Sequence, residues 1–323
     1  LKRGNFPAGT LEYVVRIDNS TLAASPLSFV DRLATFARDI KLSHSIFAMP
    51  FALLATVLAA HRTPDGLGLG HVLLVILCMI FARTVAMAAN RLFDAKLDAL
   101  NPRTANRAIP NGALSSHFVR ATLLASSAAF VMATGGFWWL YGNAWPMLLS
   151  VPVLIYLCGY PFMKRVTRLC HYYLGVALAL APVCAWLAVK GTIDAPPLWM
   201  AAAVLAWTAG FDIIYACQDY AVDVAQGLHS VPSKLGISGA LWVARLTHVV
   251  SAVMFVMLAW TTPEFGVVFA VGVSIAIALL TLEHLLVRGG DLSKLNVAFF
   301  TVNGVISVLV GVLGIIDVFV ANP

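Results

Sequence analysis

The sequence predicts an all-α membrane protein of about nine transmembrane helices, on three observations. Hydrophobic residues make up 60% of the 323, only 11% are charged, and the mean hydropathy is +0.87. A soluble domain would carry about a quarter charged residues. Apolar stretches recur from residue 45 to the C-terminus, several of them near the ~20 residues that cross a bilayer at ~1.5 Å per residue. Backbone facing lipid must satisfy its own hydrogen bonds, so these stretches are helices. The composition excludes a disordered chain, a nucleic-acid-binding tail and nearly every water-soluble enzyme; the lipid bilayer is the first partner.

Residues 1–40 are polar and mixed in charge. With no apolar core ahead of a small-residue cleavage site they read as a tail rather than a cleaved leader, although the chain starts at Leu1. The stretch 31–44 reads as an interfacial amphipathic helix, and 41–323 as one membrane domain. The spans fall at 45–60, 69–93, 118–140, 145–163, 170–189, 197–221, 240–261, 266–286 and 297–320. The first is short and contains Pro50, which predicts a kink or tilt. Loop chemistry separates others: Thr63-Pro64-Asp65-Gly66, Gly142-Asn143, Asp194-Ala195-Pro196-Pro197 and Gly289-Gly290-Asp291. Cys78, Cys158, Cys170, Cys184 and Cys217 lie in or beside apolar segments without CxxC spacing and read as packing residues. Gly135-Gly136, and Gly304 with Gly311, predict close helix packing.

Lys and Arg set the orientation. Lys2, Arg3, Arg16, Arg32, Arg38 and Lys41 precede the first span, and the even-to-odd loops carry Lys96, Arg103, Arg107, Lys164, Arg165, Arg168, Lys234, Arg288 and Lys294. The opposite side receives Arg62 and Lys190. This predicts a multi-pass protein of the cytoplasmic (inner) membrane, with its N-terminus in the cytoplasm.

A carboxylate at the centre of a membrane helix costs roughly 2.5–3.5 kcal/mol on insertion scales and therefore points to function. Asn90, Asp94 and Asp98 recur every four residues at the cytoplasmic end of the second span. Four residues turn a helix by about 400°, so the three share a stripe. Asp212, Tyr215, Asp219 and Asp223 do the same at the end of the sixth. Like charges this close ask for a cation, and Mg²⁺ takes hard oxygen ligands together with substrate phosphates. Two facing stripes would therefore make a diphosphate site bridged by Mg²⁺, with Asn90, Asp94, Asp98, Asp219 and Asp223 as metal and catalytic ligands. The alternative is that each Asp caps its helix or pairs with Arg91, Lys96 or Arg103, which the helix dipole at a C-terminus opposes. Arg103, Arg107, Lys164 and Lys234 lie in the right loops to hold a departing diphosphate, although orientation alone also places basic residues there. Arg83, about two turns before Asn90, faces the interior, to bind a substrate carboxylate or to pair with Asp212. His248, Glu283 and His284 read as satisfied interior or interfacial groups, and Asp317 as reaching the opposite interface.

These residues resemble the UbiA superfamily of intramembrane prenyltransferases, over most of the chain from Lys41 to about Val320. Asn90, Asp94 and Asp98 match its first motif, residues 103–112 the Arg-Thr-Ala-x-Arg-x-x-Pro-x-Gly that follows, and Asp219 with Asp223 its second, Tyr215 lying one turn earlier. Tyr160 and Lys164 look like its Tyr-x-x-x-Lys element, which implies diphosphate contact by Lys164. Segments 44–50 and 227–232 are similar to the 4-hydroxybenzoate polyprenyltransferase branch or its menaquinone-pathway relative. Val224-Ala225-Gln226 depart from that branch, which more often has charged residues there.

The resemblance implies nine helices in a ring around a central cavity open to lipid. It also implies Mg²⁺-dependent transfer of a polyprenyl group from its diphosphate to a small aromatic acid, 4-hydroxybenzoate or a dihydroxynaphthoate, in respiratory quinone biosynthesis. Phe93, Tyr156, Tyr160, Phe211 and Tyr215 are placed to face an allylic cation, with helix packing as the plainer role for each. Haem, chlorophyll and digeranylglyceryl acceptors fit these segments less well. Two other classes compete. A transporter would hold acids near the midplane in discontinuous helices, and a transferase using a nucleotide-activated lipid would also want Asp-rich helices. Acids gathered at helix ends beside basic loops favour prenyl transfer.

Overall fold

The computed structural model describes residues 28–321; the tail predicted for 1–30 lies almost wholly outside them. A short helix, α1 (Phe29–Asp39), is capped by the Ser28 hydroxyl, which accepts from the Asp31 amide. It buries Phe36 and Ile40 against Ala88, Ala108, Leu114 and Val119, so it lies on the end of the bundle as an amphipathic element. A 3₁₀ turn (Leu42–Phe47) leads into α2 (Met49–His61). Pro50 sits in the first turn of α2, where no amide is needed, so it starts the helix and does not kink it.

The chain continues through α3 (Leu69–Phe93), short α4 (Ala95–Leu100), α5 (Ser116–Tyr141), α6 (Trp145–Val166), α7 (Cys170–Lys190) and α8 (Ala195–Ala216). Then come short α9 (Tyr220–Ala225), α10 (Val231–Thr261), α11 (Val267–Leu286), a π-helical turn (Val297–Val302) and α12 (Asn303–Val320). Eight described spans are long and apolar enough to cross a membrane, and the apolar segment Ser45–His61 is a shorter ninth. Gly142 and Gly191 end α5 and α7 in left-handed conformation, at φ 69° and 76°, which spares the last carbonyls a side-chain clash.

Neighbouring helices close a ring in the order α2, α3, α5, α6, α7, α8, α10, α11, α12 and back to α2. Short helix α2 is wrapped by its neighbours: Phe51, Leu54, Ala55 and Leu58 are fully buried. Gly311 of α12 lets that helix approach the backbone of Pro50, where a Cβ would come within 3.0 Å of its carbonyl; Gly304 meets nothing comparable. Ser307 of α12 donates to the Ile46 and Phe47 carbonyls at 2.8 and 3.0 Å, tying the last helix to the start of the first.

At the end remote from the carboxylates, Arg62 pairs with Glu264 at 2.6 Å and with Asp194 at 3.6 Å, and Lys190 also reaches Asp194. Asp317 is buried there and accepts from the Phe269 amide at 2.9 Å. It caps α11 where the sequence suggested an exit to the interface. The five cysteines are free thiols.

Candidate active site

Both acidic motifs interrupt their helices. Helix α3 stops at Phe93, Asp94 stands at the break, and Asp98 rides on α4. Helix α8 stops at Ala216, a 3₁₀ turn carries Asp219, and Asp223 rides on α9. The continuous-helix stripes expected from spacing are thus broken, at Asp94 in the first and over the three-residue turn Cys217–Asp219 in the second. The breaks fold α4 and α9 across one end of a cavity of about 720 Å³, which all five motif residues, Asn90 included, line.

The acids are matched to bases across the cavity mouth. Arg103 grips Asp219 with two parallel bonds, Nε to Oδ1 at 2.9 Å and Nη2 to Oδ2 at 2.7 Å. Asn101 adds a third bond to Oδ1 at 3.1 Å. Burial works against the charge of Arg103, but its bonds to Asp219 outweigh that and raise its pKa above the ordinary value. Lys164 donates to Asp223 Oδ1 at 2.9 Å, and Ser230 donates to Oδ2 at 2.8 Å. Arg107 contacts both oxygens of Asp98 at 2.7 Å. Arg165 reaches Asp94 at 2.8 Å, and Asn90 donates to the other oxygen of Asp94 at the same distance. Burial pushes the Asp94 pKa up, although Arg165 opposes the shift.

Asp212 and Arg83, which the sequence offered as a pair, part company. Asp212 lines the cavity below Asp219 and bonds His171 Nδ1 at 2.7 Å. The Val231 amide donates to the other ring nitrogen of His171, which makes Nδ1–H the donor to Asp212. Arg83 lines the cavity but donates to the carbonyls of Ile40 and Lys41. Tyr160, Tyr215 and Phe211 also line it, whereas Phe93 and Tyr156 do not. Tyr156 stacks on Tyr173, each hydroxyl bonding the other's carbonyl. Lys234 is exposed on α10 and does not line the cavity.

Sequence reasoning missed Asp39, which accepts from Arg91 at 2.7 Å and from the Ala108 amide at 2.9 Å, fixing the loop that carries Arg103 and Arg107. It also missed His171, Asn101 and Ser230. Their only local signal was polarity beside apolar runs.

Glu283 is fully buried and accepts from Asn303 at 3.0 Å, and Asn303 in turn accepts from the Trp207 indole. Its second oxygen has no hydrogen-bond partner among the described residues, so it is only half satisfied.

The donor set consists of hard oxygens, which suits Mg²⁺. Among the described residues no three acidic, His or Cys groups converge on one point; each carboxylate faces a base. One or two carboxylates plus phosphate oxygens suffice for this ion, so the residues fit a metal that arrives with a diphosphate. Below the charged mouth, the walls are apolar side chains of α5, α6 and α7, such as Phe130, Phe137, Val153 and Leu178.

Comparison with known proteins agrees with this architecture. The model of the UbiA prenyltransferase family matches residues 48–305. The chain is 28% identical over 286 residues to a 4-hydroxybenzoate octaprenyltransferase of Shewanella frigidimarina, covering 86% of this chain and 94% of that one. It is 29% identical over 294 residues to one of Nitrosomonas eutropha, covering 88% and 96%. Among solved structures it resembles the apo UbiA homolog from Aeropyrum pernix K1, with TM-score 0.76, 28% identity and coverage of 85% and 98%. It shares its fold with a UbiA homolog from Archaeoglobus fulgidus bound to DMAPP and Mg²⁺, with TM-score 0.66, 18% identity and coverage of 88% and 99%. A charged mouth of paired acids and bases above an apolar chamber, with a family match spanning most of the chain, leads to one conclusion: the protein belongs to the UbiA prenyltransferase family.

Proposed function

We propose that the protein transfers a polyprenyl group from polyprenyl diphosphate to the ring of 4-hydroxybenzoate, as a step of ubiquinone biosynthesis. One observation carries the reading: four acids from two remote motifs meet four bases at the mouth of a single apolar chamber. The names of the relatives from Shewanella and Nitrosomonas supply the acceptor.

In this reading Asn90, Asp94, Asp98, Asp219 and Asp223 hold Mg²⁺ with the diphosphate. The ion, when bound, supplies charge neutralisation for the leaving group. Arg103, Arg107 and Lys164 exchange their carboxylate partners for phosphate oxygens and stabilise the charge that develops there. The allylic C–O bond breaks, its electron pair leaving with the diphosphate, and a ring carbon beside the phenolic hydroxyl forms the new C–C bond. Tyr160, Tyr215 and Phe211 offer their faces to the cation. Asp212 is the one cavity carboxylate held by a histidine rather than by Lys or Arg, and it is placed to take the ring proton as aromaticity returns. The apolar walls exclude water that would trap the cation as an alcohol, and the prenyl tail lies along them. Residues 41–323 form the catalytic unit, with α1 laid across its mouth. The Lys and Arg distribution supports a reading in which that mouth and the N-terminus lie on the cytoplasmic side of the inner membrane.

Purified protein in lipid, given Mg²⁺, a polyprenyl diphosphate and either 4-hydroxybenzoate or a dihydroxynaphthoate, is expected to yield prenylated hydroxybenzoate by mass analysis. Product from the naphthoate alone would move the protein to menaquinone biosynthesis. Product from neither would end the aromatic-acid assignment.

A further inference from the structure

Six carboxylates line the cavity: Asp39, Asp94, Asp98, Asp212, Asp219 and Asp223. Five of them face Lys or Arg at 2.7 to 2.9 Å. Asp212 is the exception among the described residues; its partner is His171, whose Nδ1 lies 2.7 Å from Oδ2. A carboxylate held by a cation is a weak base, because the positive charge favours its ionised form. One held by a neutral donor keeps more of its basicity, which a group that takes a proton from a ring carbon needs.

The His171 ring is fixed on both edges. Its side chain is 2% exposed, in the first turn of α7. Nε2 accepts from the Val231 amide at 3.3 Å, which uses the lone pair there and leaves the proton of the neutral imidazole on Nδ1. An imidazolium would offer that amide no acceptor, and the N-terminus of α7 disfavours a positive charge. Val231 opens α10, and Ser230 before it caps that helix while its hydroxyl donates to Asp223 at 2.8 Å. The turn that fixes a carboxylate of the second acidic motif thus also fixes the imidazole that aims Asp212.

Asp212 is placed for the task. Its side chain is 16% exposed, against 6% for Asp219 and 2% for Asp223. Its Oδ1 makes no hydrogen bond among the described residues. On α8 it follows Phe211 and lies three residues before Tyr215, and both aromatic residues line the cavity with it. Three residues is nearly one helical turn, so Asp212 and Tyr215 share a face.

We propose that His171 is a positioning residue for removal of the ring proton: its Nδ1–H holds Asp212 Oδ2, so that Oδ1 meets the carbon that has just received the prenyl group. The C–H electron pair returns to the ring, Asp212 becomes the neutral acid, and its proton passes to solvent as product leaves. His171 keeps its own proton throughout. The inference rests on the aromatic-acid reading above.

The test measures kcat and KM for 4-hydroxybenzoate, and the ratio of kcat for the ordinary acid to that for acid deuterated at the ring carbons beside the hydroxyl. It uses the full chain in lipid with Mg²⁺ and polyprenyl diphosphate. The variants are His171→Gln, whose amide can donate to Asp212 and accept from Val231, His171→Leu, which can do neither, Asp212→Asn, and the double variant Asp212→Asn/His171→Leu. His171→Leu is expected to lower kcat by about tenfold to a hundredfold, towards the low end of what a general base contributes. KM for the acid should stay within about twofold, since the lost bond is not to the substrate. The isotope ratio should rise above that of wild type, because loss of the ring proton has become slow. That ratio compares one enzyme with two acids and so does not depend on the folded fraction. His171→Gln should restore both kcat and the ratio, and His171→Leu should cost nothing further once Asp212 is replaced.

An unchanged isotope ratio in His171→Leu, or additive losses in the double variant, reduces His171 to a partner for the first amide of α10 and overturns the proposal. So does a His171→Gln protein as slow as His171→Leu, or full turnover in Asp212→Asn. No turnover in His171→Leu beside residual turnover in Asp212→Asn overturns it too, since the loss could not then pass through Asp212. A wild type that prenylates neither aromatic acid removes the reading on which the inference rests.

Discussion

The two acidic pairs differ in how they are held. Asp219 and Asp223 have side chains 6% and 2% exposed, and both their cations come from distant elements: Arg103 from the loop after α4, Lys164 from the end of α6. Asp94 and Asp98 are 18% and 9% exposed; the Asp98 partner, Arg107, lies nine residues on in the loop after α4, while Asp94 is held by Arg165 from the end of α6. The second pair exists only in the finished tertiary structure, with Asn101 and Ser230 completing its bonds. The first is local at Asp98 only, and its side chains are more exposed. We read the second pair as the fixed half of the site until its cations turn to the diphosphate, and the first as the looser half.

The largest effect should come from the fixed half. Asp219→Ala is expected to lower turnover by at least about 10³-fold, the scale for losing a group that stabilises the transition state, while the protein stays folded in membranes. Near-normal product formation would remove the second pair from the chemistry. Stability should separate the halves next. Lys164→Met strands the buried Asp223 charge and should cost about 3 kcal/mol or more, whereas Arg165→Met at the more exposed Asp94 should cost under about 1 kcal/mol. Equal losses in denaturation of the two variants would erase the contrast.

The smallest signal is a pH dependence. Burial raises the Asp94 pKa from 3.8, so the folded state holds this proton more tightly than the unfolded chain. Its contribution to stability is full below 3.8 and is lost as pH rises through the folded-state value. In metal-free protein, Asp94→Asn should therefore flatten the fall in Tm on leaving the acid range. An unchanged slope would mean that Asp94 is not the source.

Much of this was legible in the sequence because hydropathy and a four-residue Asp spacing are local signals. The helices fell where apolar length put them, and Asn90, Asp94, Asp98, Asp219 and Asp223 all line the cavity. Spacing could not show that α3 and α8 break at the motifs, since the loops that pull the chain over are held by tertiary bonds such as Asp39 to the Ala108 amide. Nor could it choose a partner for Arg83, because the carbonyls it binds belong to a turn some 40 residues earlier. Lys234 was suggested by orientation, which places a charge on a side of the membrane but not in a pocket. His171 gave only the signal of a polar residue in an apolar run, which has many ordinary explanations; its 2.7 Å contact with Asp212 is what distinguishes it.

The Ser307 hydroxyl that bonds Ile46 and Phe47 joins α12 to the segment ahead of α2. Domains otherwise fold from the N-terminus during synthesis, yet the segment beside Lys41 cannot make these bonds until α12 has been made. Chains that stop short of α12 would carry both acidic motifs into the bilayer with the ring of helices still open.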